Sequence, residues 1–168
     1  MAGPVSQSGT VTPGHFATWV TDGVVQDGGP ILASEKVLGS IRGANFNTTS
    51  DQPIVLTPGI LKFQITKIII TNASLSLTTA AGGFYTQAAK TGSQIVANSQ
   101  TYSALTASTA LMTATLANFA NTTLLSSANL SQLLNASNQY GLAVYFALTT
   151  PQGAAATADV YLVGIDLT

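Results

Sequence analysis

The chain has 168 residues, enough for one compact domain plus an arm, and it can bury a real core without covalent staples. Charged residues are only 7% of the composition and the net charge is −1, against about 25% charged residues in typical soluble domains. That balance argues against nucleic-acid binding, which needs basic residues in number. The absence of cysteine excludes disulfides, thiolate nucleophiles and zinc–sulfur sites.

Apolar residues make up 46%, yet no apolar run approaches the ~20 residues that span a bilayer, so no membrane partner is expected. Met1–Ala2–Gly3–Pro4–Val5 has neither a basic nor an apolar region of a signal peptide. The polar remainder is Ser, Thr, Asn and Gln, which solvates a surface but repels neighbours little. Such a surface suits a subunit of a large assembly. Asn-x-Ser/Thr triplets recur at Asn47, Asn72, Asn121, Asn129 and Asn135, as expected by chance in this composition, and glycosylation is not expected.

Residues 1–38 read as an extended N-terminal arm. Pro4, Gly9, Pro13, Gly14, Gly23, Gly28, Gly29 and Pro30 punctuate it too often for long regular elements. Between them stand apolar anchors, Phe16, Trp19, Val20, Val24, Val25 and Ile31, which a disordered linker would lack. These six are the expected partner-binding residues, on an arm ordered by lying against another protein. The alternative is an arm that wraps its own domain.

Residues 39–168 read as a β-domain. Ser40–Phe46 suggests a first strand and Ile54–Leu56 a second, separated by a loop over 47–53. Leu61–Thr66 alternates cleanly, with Leu61, Phe63 and Ile65 inward. Lys67 then falls on the apolar side, and a β-bulge near Thr66–Lys67 explains the change of phase. Ala80–Gly83 reads as a turn before a strand over 84–89, followed by strands over 94–97 and 111–116. Thr101–Thr106 suggests a short helical turn. Ser127–Asn135, with Ser127 as cap and Leu130, Leu133 and Leu134 on one side, is favoured as a short helix, a strand being the alternative.

The C-terminal region carries the strongest pattern. Tyr140, Leu142, Val144, Phe146 and Leu148 form a bulky row, and Gly141, Ala143, Ala147 and Thr149 a thin one with Tyr145 as exception. Thr150–Gly153 supplies turn chemistry, and 158–165 reads as a returning strand, so a C-terminal hairpin is expected at the centre of the sheet. Gly141, Ala143, Tyr145, Ala147 and Tyr161 are the expected oligomer interface. Many short strands without intervening amphipathic helices indicate an all-β fold, an antiparallel β-sandwich of jelly-roll type.

Catalytic chemistry is poorly represented. His15 is the only histidine, so a histidine zinc triad within one chain is impossible, and a Ser-His-Asp arrangement would have to recruit Asp22 or Asp27 beside it. Three copies of His15 around a three-fold axis are the remaining metal reading. Asp51, Asp159 and Asp166 are the acids available for glycoside hydrolysis, but Asp159 and Asp166 fall on opposite faces of one strand. No phosphate-binding loop is present. No enzyme, cofactor or metal is expected. The five tyrosines are expected mainly in core or interface, with a sugar-binding shelf as the rival role.

The arm from Ser6–Gln7–Ser8–Gly9–Thr10 to Trp19–Val20–Thr21–Asp22–Gly23 and Asp27–Gly28–Gly29 resembles a segment recurrent in structural proteins of tailed bacteriophages, where it is similar to particle-proximal arms of fibres, spikes and small head proteins. Leu77–Thr86 and Gly153–Tyr161 resemble small phage virion proteins more loosely. The resemblance implies a virion component on the particle surface: a head decoration, cement or head-fibre protein, or a tail- or portal-proximal adaptor. It implies the major capsid protein or another virion protein as partner, and a homo-oligomer, by expectation a trimer. A host-surface carbohydrate-binding module is the rival from another class.

Overall fold

The computed structural model describes residues 6–8, 15–21, 24–30, 34–117, 120 and 123–168. The chain forms two compact units, Met1–Ala33 and Ser34–Thr168.

In the first unit, β1 (Ser6–Ser8), β2 (His15–Thr21) and β3 (Val24–Pro30) make a three-stranded sheet in the order β1-β3-β2. β2 runs antiparallel to β3 with Trp19 opposite Val25, and β1 runs parallel to β3 with Gln7 opposite Val25. Within the segment read as one extended arm, the described strands thus pair with one another. Pro4, Gly9, Pro13, Gly14, Gly23, Asp22 and Ile31 lie outside the described residues.

The second unit is an antiparallel β-sandwich. Its strands are β4 (Glu35–Asn45), β5 (Gln52–Val55), β6 (Lys62–Thr71), β7 (Ala81–Tyr85), β8 (Gln94–Val96), β9 (Leu111–Thr113), β10 (Leu125–Ser126), β11 (Ser131–Leu134), β12 (Tyr140–Thr150) and β13 (Thr157–Asp166). One sheet places β13 between β4 and β6, and β6 also pairs with β9 and β10. The other runs β8-β7-β12, and β12 also pairs with β5 and β11. The chain passes back and forth between the sheets, and β12 and β13 are laid last into their centres. That is jelly-roll connectivity.

The expected C-terminal hairpin is thus corrected: β12 and β13 are the central strands of different sheets. The link between them is tied to other loops instead of turning back. Gln152 N–H donates to Phe46 O at 2.8 Å, and Gly153 N–H donates to Asn47 Oδ1 at 3.0 Å. The Gln152 side chain accepts from Thr79 N–H at 3.1 Å.

Between the sheets lies one core. Phe46, Phe84, Phe146 and Tyr102 form a ring cluster, with Phe146 centred 5.0 Å from both Phe46 and Phe84. The bulky row of β12 behaves as its period-2 pattern requires: Leu142, Val144, Phe146 and Leu148 are all in this core. Tyr140, the first of the row, is exposed because β12 begins beyond the edge of the core.

β6 shows the expected bulge. Val163 pairs with Lys67 and Gly164 with Ile65, which leaves Thr66 as the extra residue. Phe63 and Ile65 before it, and Ile68 and Ile70 after it, all point inward, while Lys67 escapes to the surface. Leu61, expected inward, precedes the strand and is exposed.

Two further expectations are overturned. Ala81–Gly83 is strand, not turn, because only glycine fits there: a Cβ on Gly82 would stand 2.4 Å from Leu148 Cα, and one on Gly83 2.5 Å from Val96 O. Ser127–Asn135 is not a helix. Its first residues turn, with Ser126 N–H donating to Asn129 Oδ1 at 2.7 Å, and the rest forms β11, whose pairing with β12 supplies hydrogen bonds that a short helix would have to find within itself.

Candidate interaction surfaces

Charge is distributed unevenly over the second unit. Glu35, Lys36 and Arg42 lie on β4, Lys62 and Lys67 on β6, and Asp159 and Asp166 on β13. The strands β5, β7, β8, β11 and β12 carry no charged residue at all. The strands of one sheet therefore carry the charge, and those of the other present only hydroxyls, amides and backbone as polar groups, with Asp51 and Lys90 confined to its loops.

On the charged sheet the ions mostly neutralise one another. Lys36 Nζ sits 2.7 Å from Asp166 Oδ2, and Lys67 Nζ sits 2.7 Å from Glu35 Oε2. The Lys36 hydrogen bond, helped by Thr168, holds the Asp166 carboxyl down to about 2. Lys67, followed by Thr66, lowers Glu35. Asp159 is buried and accepts from Gly43 N–H at 2.8 Å and Asn72 Nδ2 at 3.2 Å, pinning the end of β13 to a left-handed glycine of β4. Asp159 and Asp166 are seven residues apart on one strand, roughly 23 Å at the usual rise, too far for a glycosidase pair. Asp51 accepts from Ala89 N–H and serves to hold a loop. Among the described residues no three His, Cys, Asp or Glu side chains gather as a metal site.

The row expected at an oligomer interface is covered within the single chain. Gly141, Ala143, Tyr145 and Ala147 are all buried, and Tyr161 is half-buried. Gly141 lies so close to the chain leaving β5 that a Cβ there would stand 2.5 Å from Leu56 O and 2.9 Å from Val55 Cγ1. Loops reinforce this side of the molecule. Lys90 Nζ donates to Thr49 O at 3.0 Å, Gln87 Nε2 donates to Asn129 O at 2.8 Å, and Ser131 Oγ bonds Gln87 Oε1 at 2.9 Å. The small residues let this layer approach closely.

Five of the six expected partner-binding residues lie on two paired strands, and Ile31 falls outside the described residues. Phe16, Trp19 and Val20 belong to β2, and Val24 and Val25 to β3, with Trp19 directly opposite Val25. His15 opens β2 opposite Pro30.

The tyrosines do not assemble into a shelf. Tyr85 and Tyr102 are core, Tyr145 is 6% exposed and Tyr161 half-buried; Tyr140 alone is open, at 67%. Burial pushes the Tyr85 and Tyr102 hydroxyls upward in pKa, and Tyr102 Oη donates to Gly82 O at 2.9 Å.

Tyr140 belongs to a surface feature the sequence reading missed. It pairs across the β11–β12 hairpin with Leu134, which is 50% exposed. The hairpin turn is held by Asn135, whose Oδ1 accepts from Ser137 N–H at 2.9 Å and Gln139 N–H at 3.0 Å. Asn138 takes the left-handed conformation at φ 57°. The available signal was the Asn135–Ala136–Ser137–Asn138 run between apolar stretches, which is turn chemistry. Comparison of the chain with protein-family models, curated proteins and solved structures finds no match.

Proposed function

We propose that this chain is a non-enzymatic structural protein of a tailed-bacteriophage particle, a head decoration, cement or head-fibre subunit exposed on the virion surface. The observation that carries the reading is the partition of the molecule into a small strand-rich unit, Met1–Ala33, and a charge-poor jelly roll, Ser34–Thr168. The fold by itself hosts many functions. The resemblance of residues 6–29 to particle-proximal phage arms is what directs the reading to a virion, and the weakly charged surface suits close packing in an assembly.

In this reading Phe16, Trp19, Val20, Val24, Val25 and Ile31 attach the subunit to the major capsid protein or another virion protein. Burying each contributes about 1.5–3 kcal/mol before ordering costs. Strand edges of the N-terminal unit offer backbone pairing to exposed capsid strands, and several subunits in one homo-oligomer multiply weak attachments. The jelly roll projects from the particle or bridges neighbouring capsomers. A tail- or portal-proximal adaptor would use the same attachment.

Deletion of residues 1–33, which ends before β4, in the encoding phage tests the arrangement. The expected outcome is a truncated chain that remains folded and soluble but is lost from particles. Full incorporation of the truncated chain would overturn the role given to the N-terminal unit. Tyr140, open on an uncharged hairpin, favours one rival reading, a host-surface carbohydrate module. Glycan-array binding abolished by Tyr140→Ala would support that reading in place of the structural one.

A further inference from the structure

We infer that β11 is a self-pairing edge, through which two copies of this chain join their uncharged sheets across a two-fold axis. This goes beyond the particle reading and stands on the hairpin alone. Asn135 N–H donates to Gln139 O at 2.9 Å, which fixes the phase of the β11–β12 ladder. Hydrogen-bonded pairs alternate in an antiparallel ladder, so Ser131 and Leu133 turn their backbone groups toward Ala143 and Gly141. Gln132 and Leu134 turn theirs away from β12, and those N–H and C=O groups meet no partner among the described residues.

Edges of this kind are normally blunted by charge, proline or a bulge. β4 is protected in that way: it carries Glu35, Lys36 and Arg42, and its register with β13 shifts twice. β8 is covered by the segment after β9, where Ala117 N–H donates to Ile95 O at 2.9 Å. Past the end of β9, Gln100 Oε1 takes Thr115 N–H at 3.0 Å. β11 has none of these protections, and it is flanked by the exposed pair Leu134 and Tyr140.

The occupant is a second copy because of what self-pairing demands. Across a two-fold axis an edge meets itself, so any charge on it faces its own kind. Ser131–Leu134 and its hairpin partner β12 hold no charge. Centred on Leu133, the antiparallel pairing sets Gln132 against Leu134 of the other copy and the reverse. It satisfies all four outward N–H and C=O groups on each copy's Gln132 and Leu134, and brings the apolar Leu134–Tyr140 pairs under cover.

The test is sedimentation equilibrium of the full chain over a wide concentration range, with two variants. The wild type is expected to pass from monomer to dimer as concentration rises. Gln132→Lys, at an exposed position that leaves the core untouched, is expected to weaken dimerisation at least tenfold. The chain has no cysteine, so Leu133→Cys is a clean reporter. In the pairing described, its two Cα atoms stand about 4.5 Å apart, within disulfide reach. It should cross-link under mild oxidation much faster than Ser127→Cys. A wild type that stays monomeric throughout, as it would if the edge served only a different chain, overturns the proposal. So does a Gln132→Lys variant that associates like wild type, or Leu133→Cys linking no faster than Ser127→Cys.

Discussion

Replacing Phe146 by alanine should cost the jelly roll more than almost any other single truncation. The ring is fully buried on the central strand β12, and three other rings close around it: Phe46 and Phe84 at 5.0 Å and Tyr102 at 6.1 Å between centroids. Truncating a buried Phe to Ala costs about 3–5 kcal/mol through lost transfer energy and the cavity left behind. Aromatic pairs add about 0.5–1.5 kcal/mol beyond area, so Phe146→Ala belongs near the top of that range, about 4–5 kcal/mol. Total stability for a domain is about 5–15 kcal/mol, and the variant is left marginal. At about 3 °C per kcal/mol for a domain of this size, the melting temperature falls by about 12–15 °C. Urea denaturation followed by far-UV circular dichroism measures it. The lone tryptophan, Trp19, lies in the other unit, so its fluorescence follows that unit separately. Phe146→Leu keeps more of the buried apolar volume and should cost clearly less than Phe146→Ala. A Phe146→Ala loss below about 1 kcal/mol at unchanged m-value would refute the closed ring cluster.

Gly141→Ala drives a methyl into Leu56 O and is expected to destabilise by about 1–3 kcal/mol in thermal melts. Wild-type stability with an altered oligomeric state would instead restore Gly141 to an interface. Tyr102→Phe removes the hydrogen bond to Gly82 O and should cost about 1 kcal/mol by urea titration. Because burial raises the Tyr102 pKa in the folded state, folding loses stability as pH rises above the unfolded value of about 10. Spectrophotometric titration should show one tyrosine ionising only with unfolding. Asp166 has the opposite sign: its folded pKa, near 2, lies below the unfolded value, so its small contribution is present above about pH 4 and fades as pH falls toward 2. Carboxyl NMR should place its midpoint near 2, and Lys36→Met should return it toward the ordinary range.

Where one side chain in two meets the core, the fold was legible from the sequence. Leu142, Val144, Phe146 and Leu148 announced their strand by period alone, and the misplaced Lys67 announced the bulge at Thr66. Partners were not legible. Thr150–Gly153 has the chemistry of a hairpin turn, yet the link crosses to the other sheet because Phe46, Asn47 and Thr79, far away in sequence, bind it. Gly82 and Gly83 looked like a turn because the closeness of Leu148 and Val96 is a tertiary fact. Leu130, Leu133 and Leu134 fit helical spacing as well as a turn followed by a strand, and pairing with β12 decided between them. For the same reason the thin row of β12 was legible as a close-packing surface, while the loops and the chain leaving β5 that cover it were not.

The measurement that bears most directly on the function proposed is quantitative mass spectrometry of gradient-purified particles from cells in which the encoding phage is produced. The account predicts that the chain bands with the particles at a fixed ratio to the major capsid protein. A chain that stays wholly in the soluble fraction, with particles complete without it, would contradict the account.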